Sequence, residues 1–229
     1  MSRSSIDLNR IGQTTVRQGK RIAFLGGAFD PPHIGHAMLA KRVLALGLSD
    51  LVLWVPSWAP PHKNSGGMTE FFHRCNMVKI VLEQLSGSQL SDIEERKKFD
   101  PSYSFKIMSA LEEEFPDCRI QLLIGQDSLE QLHTWYCARE LVEKFEVIAF
   151  PRKDSAAAED NAGAIPRLPL DFWGDKLTEK LKNSLVAGDY VEISSTYLRE
   201  ALANNRSLHN IIDAGVLEYI KKNGLYRRK

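Results

Sequence analysis

Two histidines three residues apart, His33 and His36, follow the paired glycines Gly26 and Gly27 across a turn that holds Asp30, Pro31 and Pro32. Imidazoles placed at such a turn can donate hydrogen bonds to an anion, titrate near neutral pH, or ligate a metal. The glycines favour the first of these. An apolar strand that runs into glycines and then into a helix aims unpaired backbone N–H groups and the positive end of the helix dipole at the turn, which suits phosphate. A metal pair would need a third ligand nearby in the sequence, and no suitable residue type is there. Turn histidines without a role are the remaining alternative. The stretch lacks G-x-G-x-x-G and is not the dinucleotide fingerprint.

A second cluster lies near the C-terminus, in ISSTYLRE, residues 193 to 200. Ser194, Ser195 and Thr196 end a strand and open a helix, so their hydroxyl and N–H groups can meet phosphate, while Arg199 one turn later adds a guanidinium fork. Simple N-capping explains the serines but not the arginine. A third cluster follows the apolar run RIQLLI, where Gly125 and Asp127 repeat the strand-then-glycine logic. Asp127 falls at the carboxyl end of a strand, the position from which a ribose hydroxyl is met in open α/β sheets.

These groups need elements to hold them. Ile22 to Leu25 reads as a strand buried on both faces and therefore mid-sheet, followed by a helix from about Gly35 through Leu46 with Leu39, Val43 and Leu46 toward the core. Leu51 to Val55 is a second strand, closed by Pro56 and followed by SWAPPHKNSGG, a loop whose composition fits a binding lid and an exposed connector equally. Phe71, Cys75, Val78, Leu82 and Leu85 form one helical stripe, expected in the core. A weak third strand is expected near Leu90 to Glu94, then a helix from DPSYSF to about Glu114 capped by Ser102 or Ser104. Arg119 to Ile124 and Glu146 to Phe150 are the fourth and fifth strands. Lys153 to about Asp175 reads as a polar surface insertion. A helix near Lys176 to Leu185, a short strand YVEIS, the helix TYLREALAN and a last helix within Asn210 to Asn223 complete the chain. This alternation predicts an α/β fold: a Rossmann-like, doubly wound, mostly parallel sheet with helices on both faces and a small C-terminal helical part. Residues 1 to 20 are expected to be a leader ahead of a single domain spanning 21 to 229.

The 229 residues carry a net charge of +1, which excludes the basic field that draws a nucleic-acid backbone. Cys75, Cys118 and Cys137 are odd in number and lack a C-x-x-C, so a reducing compartment is expected, with the thiols as small buried hydrophobes and not as a disulfide framework or zinc site. Neither a run of about 18 uncharged apolar residues nor the apolar core of a signal peptide occurs. A cytoplasmic protein without membrane partners is expected.

The motifs also carry a resemblance. GGAFDPPHIGH resembles the signature of the HxGH nucleotidyltransferases, and in particular of the bacterial nicotinate-nucleotide adenylyltransferases, with Ala28 where threonine or serine is more usual. ISSTYLR is similar to the same family's second signature, ISSTxxR, and GQDSLEQLHTWY to its third region. PPHK, DPSYSF and Arg152 fall in family order, so the resemblance spans residues 21 to 226.

The resemblance implies transfer of AMP from Mg²⁺-bound ATP to the 5′-phosphate of nicotinate mononucleotide, releasing pyrophosphate. His33, His36 and Arg199 would then stabilise charge on the phosphates. Gly26, Gly27, Ala28, Phe29, Gly125, Asp127, Ile193, Ser194, Ser195 and Thr196 would complete the ATP site. His62, Lys63, Ser104, Phe105, Trp135, Tyr136 and Arg152 would bind the mononucleotide, with the pyridine ring on Trp135. Mg²⁺ would ride mainly on the triphosphate. Rival expectations are another member of the superfamily, such as a phosphopantetheine adenylyltransferase or a cytidylyltransferase, and a non-catalytic nucleotide sensor on the same fold.

Overall fold

The computed structural model describes residues 19–61, 68–151, 166–186, 193, 195–204 and 206–227. Ile22, Ala23, Phe24 and Leu25 are all buried, as the centre of a sheet covered on both sides requires. They lie in β1 (Arg21–Gly27), which pairs in parallel with β2 (Leu51–Pro56) on one side and β4 (Arg119–Gly125) on the other. With β3 (Ser88–Leu90) and β5 (Glu146–Phe150) at the edges, the sheet order is β3-β2-β1-β4-β5. The chain reverses its direction of travel across the sheet between β1 and β4, and ligands of open α/β sheets bind outside the strand ends at that switch point.

Along the chain the helices are α1 (Ile34–Ala45), α2 (Phe71–Leu82), α3 (Ile93–Lys97), α4 (Ser104–Glu114), α5 (Gln126–Gln131), α6 (Ala138–Lys144), α7 (Leu170–Lys182), α8 (Ser195–Ala203) and α9 (Ala214–Lys222). Alternate strand residues serve opposite layers, because side chains along a strand point to opposite faces. Ile22, Phe24, Leu53, Leu122 and Val147 pack with Met108, Leu111, Leu141 and Trp173, from the α4, α6 and α7 side. Ala23, Leu25, Val52, Trp54 and Ile148 pack with Leu39, Val43, Met77, Val81, Leu198 and Val216, from the α1, α2, α8 and α9 side. The doubly wound expectation holds.

Register delivers the site. Gly27 of β1 pairs with Pro56 of β2, and the Ser57 N–H continues the ladder to the Gly27 carbonyl at 2.9 Å. Phe24 pairs with Leu122, so Gly27 and Gly125, three residues beyond each, end level at the same edge of the sheet.

Several local expectations are corrected. The third strand is Ser88–Leu90, and the chain from Ile93 is helical, because Ile93 must enter the core at 0% exposure from a short helix under the sheet. Leu46 is 51% exposed, since α1 ends one residue before it and the chain leaves through Gly47 at φ +62°. The buried face of α2 is Arg74, Met77, Val78 and Val81, so Phe71, Cys75 and Leu82 are only half-buried flanks. All three cysteines are half-buried; burial pushes the Cys75 thiol up to about 12, which keeps it protonated. Helix α4 has Tyr103 at its N-cap with no side-chain cap, and Ser102 is engaged elsewhere. Helix α7 begins at Leu170, inside the stretch expected to be a loop, with Trp173 buried; Gly174 at φ +68° breaks it and hides the helical pattern. The expected strand YVEIS and most of the expected 153–175 insertion lie outside the described residues.

Candidate active site

His33 is the N-cap of α1 and 7% exposed. Burial lowers its pKa to about 4, so at neutral pH the ring is uncharged, with one donor and one acceptor nitrogen. The His36 ring stacks on it at 3.7 Å between centroids and meets Phe29 edge-on at 4.9 Å. The backbone N–H of His33 donates to Nδ1 of His36 at 3.3 Å, and a nitrogen that accepts carries no proton. His36 is therefore held in the tautomer whose proton sits on Nε2. Phe29 is itself fixed by burial beside Trp54, 5.2 Å away, and adopts φ +49°, a conformation rare for a bulky residue and tolerated here because the core over-determines it.

The helix terminus is less open than its sequence implies. The Ile34 N–H donates to the Ile211 carbonyl at 2.9 Å, and the His33 N–H is taken by His36. Both donors are satisfied within the protein, so these two N–H groups are not open to an anion.

Arg199 joins the second motif to the first. From α8 its Nη1 donates to the carbonyl of Asp30 at 2.9 Å, and its Nη2 to Oγ1 of Thr196 at 3.0 Å. Thr196 thus orients the guanidinium, and two of its five N–H groups are engaged among the described residues. Ser195 opens α8, and Ile193 packs half-buried on the core; Ser194 lies outside the described residues.

At the level of Gly26 and Gly27, on the β1–β4 side, is a cavity of about 250 Å³ lined by those glycines, Phe24, Ser102, Tyr103, Ser104 and residues 134–136. This is the switch-point crevice, with a volume just under the ~300 Å³ at which typical small-molecule pockets begin. Trp135 is half-buried against the core, while Tyr136 is 45% exposed and stacks on Tyr103 at 4.5 Å. Ser104, Trp135 and Tyr136 therefore come together as expected. The Phe105 side chain packs toward the core behind them. Gly125 ends β4 and N-caps α5, and Asp127 is exposed in that helix's first turn. His33 lines a separate cavity of about 400 Å³, with Lys41, Gln84 and residues 209–213. His62, Lys63 and Arg152 lie outside the described residues.

Four residues that hold this arrangement are absent from the sequence reading as functional positions. Arg74 is fully buried and donates to the carbonyls of Ala28 (2.7 Å), Ser57 (2.8 Å) and Thr69 (2.9 Å). It clamps both stems of the 57–69 loop to the glycine turn; burial lowers its pKa, yet an arginine stays charged. Asp30, 1% exposed, accepts the Tyr226 hydroxyl at 2.6 Å and the Thr69 N–H at 3.4 Å. A charge on an otherwise apolar helical face, as Arg74 is beside Met77, Val78 and Val81, is the one signal that the sequence carries.

The fourth is Glu94, 0% exposed under the Trp58–Ala59 backbone, with neither carboxyl oxygen in hydrogen-bond geometry. Burial raises its pKa from the usual 4.5 to about 7, opposed by the nearby Ser102 hydroxyl, the Trp58 backbone and the Arg74 charge. Between these two values the unfolded chain has lost the proton that the folded chain keeps, so this group's contribution to stability falls as pH rises, levelling off above 7. Glu94→Gln is therefore expected to melt with the wild type near pH 4.5 and above it by a margin that widens to pH 7 and then stays constant. Parallel melting curves across pH 4.5–8 would refute this.

A parallel sheet in this order, with a histidine-bearing glycine turn at its centre and an arginine from a C-terminal helix closing on that turn, is the architecture of a Rossmann-like nucleotidyltransferase. Residues 24–201 match the family model described as cytidylyltransferase-like. The "Probable nicotinate-nucleotide adenylyltransferase" of Gloeobacter violaceus is 35% identical over 91% of this chain and 97% of its own length. The nicotinate-nucleotide adenylyltransferase of Bacillus subtilis is 30% identical over 90% and 98%. The chain belongs to the nicotinate-nucleotide adenylyltransferase family. Its fold is also that of the Plasmodium falciparum nicotinic acid mononucleotide adenylyltransferase complexed with NaAD, with a TM-score of 0.69 at 21% identity, covering 90% of this chain and 97% of that one.

Proposed function

We propose that this protein transfers the adenylyl group of ATP to the 5′-phosphate of nicotinate mononucleotide, giving the dinucleotide and pyrophosphate in NAD biosynthesis. The observation that carries this reading is the 2.9 Å contact from Arg199 to the Asp30 carbonyl, which joins the C-terminal motif to the turn between the glycines and the histidines. The phosphate oxygen of the mononucleotide attacks the α-phosphorus as the bond to the pyrophosphate oxygen breaks. A phosphate monoester with its second pKa near ~6 is already ionised at neutral pH, so no general base is needed. Neutral His33 and the Nε2–H of His36 serve as donors to the phosphate oxygens, and Arg199 with the 194–196 turn neutralises the departing pyrophosphate. Mg²⁺ enters with ATP: the turn offers imidazole donors, which suit phosphate oxygens and not a hard cation.

Glycines 26 and 27 line the aromatic cavity as well as the turn, so a mononucleotide whose ring enters beside Trp135 extends its phosphate toward the histidines. Ser104 and the backbone at 105 and 136 meet the ring carboxylate, Asp127 meets the ATP ribose, and His62, Lys63 and Arg152 hold the mononucleotide phosphate. No described helix is long and apolar enough to cross a membrane; with unpaired cysteines suited to reducing conditions, the reading places the enzyme in the cytoplasm.

The test is to mix purified protein with Mg²⁺ and ATP plus nicotinate mononucleotide, its amide, or phosphopantetheine, and to measure pyrophosphate. Release is expected with the nicotinate form and is slower with the amide. Release with none sinks the reading, release with phosphopantetheine alone selects the rival substrate, and equal rates with both mononucleotides overturn the donor-facing carboxylate.

A further inference from the structure

The C-terminal segment after α9 folds back to the catalytic turn. Asp213 caps α9, accepting from the Gly215 N–H at 2.8 Å, and the Tyr219 hydroxyl lies 2.9 Å from His73 Nδ1 and accepts from Asn76 at 3.0 Å, so the helix is locked to α2. Gly224 then turns the chain at φ +64°, and Tyr226 follows at φ +58°. A bulky aromatic in this region persists only where tertiary contacts over-determine it. The contact that does so is the Tyr226 hydroxyl donating to Oδ1 of Asp30 at 2.6 Å.

Asp30 has two further tasks at 1% exposure. Its other carboxylate oxygen accepts the Thr69 N–H, and its main-chain carbonyl holds Nη1 of Arg199. The carbonyl and the carboxylate belong to one residue in a turn bounded by Pro31, so a shift of the side chain moves the carbonyl too. We propose that Tyr226 is a positioning residue of the catalytic centre: by fixing Asp30 through its hydroxyl, it sets where the Asp30 carbonyl holds the Arg199 guanidinium. A phenylalanine would fill nearly the same volume and leave Oδ1 of Asp30 without the hydroxyl donor. Since misplacement of a group by about 1 Å costs up to about a hundredfold in rate, loss of one such tether is worth roughly tenfold.

The rate consequence rests on the adenylyl-transfer reading, whereas the geometry does not, and the experiment separates them. The first measurement is the arginine side-chain Nε–Hε NMR spectrum of the full chain, with the Arg199 signal identified by its loss in Arg199→Lys. In Tyr226→Phe that signal is expected to shift or broaden while the other arginine signals away from the turn stay in place. An unmoved Arg199 signal overturns the proposal whether or not the protein is an enzyme. If Tyr226→Phe does not fold, para-aminophenylalanine in place of Tyr226, which keeps the ring and a donor for Oδ1 of Asp30, is expected to leave the signal in place, and a shifted signal there counts against the proposal.

The second measurement is a double-mutant cycle on turnover. Tyr226→Phe is expected to lower kcat roughly tenfold with both KM values nearly unchanged, and to have no further effect in the Arg199→Lys background. A full tenfold loss in both backgrounds would show that Tyr226 acts independently of Arg199. Absence of turnover in the wild type would sink the functional reading alone, and the NMR result would still decide the contact.

Discussion

His36→Ala is expected to lower kcat at least about a hundredfold while ATP binding changes little, because a preorganised donor to a developing phosphate charge contributes about 3 kcal/mol to the transition state. The structure makes the variant informative. His36 Nδ1 accepts the backbone N–H of His33, so alanine removes both the donor and the acceptor that closes the helix terminus. His36→Asn separates the two, since its side-chain oxygen can accept that N–H while its amide nitrogen does not reach the Nε2 position; it is expected to recover helix stability but little of the rate. The pH profile supplies a second check. His33 stays neutral down to about pH 4 in the folded protein, so the acid limb of kcat/KM should follow the nucleophile's second ionisation near ~6. The same limb should remain in His36→Ala. A limb that vanishes with the histidine would make His36 a base, and near-normal turnover would remove it from the chemistry.

The parts of the molecule that are local in sequence are the parts that could be read from it. Parallel strands buried on both faces leave unbroken apolar runs, so β1, β2, β4 and β5 are legible, whereas the edge strand β3 has only three residues and half-exposed side chains and is not. The signature residues are legible because glycine, histidine and arginine at strand ends have few structural reasons to be there. Arg74, Glu94 and Tyr226 are not legible as functional positions, since their meaning lies in contacts made far along the chain. Arg74 reaches back 46 residues to Ala28, and Tyr226 reaches 196 residues to Asp30. No period or motif announces such pairings. The α2 stripe illustrates the cost: choosing Phe71 and Cys75 as core residues gave an apolar face, while the face actually buried is the one that contains a charge. The motif side chains are thus legible, and the groups that hold them in register are not.

Arg74→Met is expected to be the most destabilising single change in the site. Methionine fills much of the space but donates nothing, leaving the carbonyls of Ala28, Ser57 and Thr69 without this partner in a region from which water is excluded. It also removes the positive charge that faces buried Asp30 and Glu94. Removing one member of a buried charged network typically costs about 3–5 kcal/mol, a large share of the ~5–15 kcal/mol that holds a domain together. At ~2–4 °C per kcal/mol for a chain of this size, the melting temperature should fall by roughly 10 °C or more. Arg74→Lys divides stability from positioning. An ammonium keeps the charge but cannot span three carbonyls set around a planar fork, so one or two of the loop stems lose their tie. This variant should fold, melt at an intermediate temperature, and raise KM for the mononucleotide more than KM for ATP, because Ser57 and Thr69 bound the loop that carries His62 and Lys63 while Ala28 is a single contact on the ATP side. Equal changes in both KM values would mean that Arg74 supports the core in general. A lysine variant as stable and active as the wild type would mean that charge alone matters there, and that the three carbonyl contacts contribute nothing to the geometry of the loop.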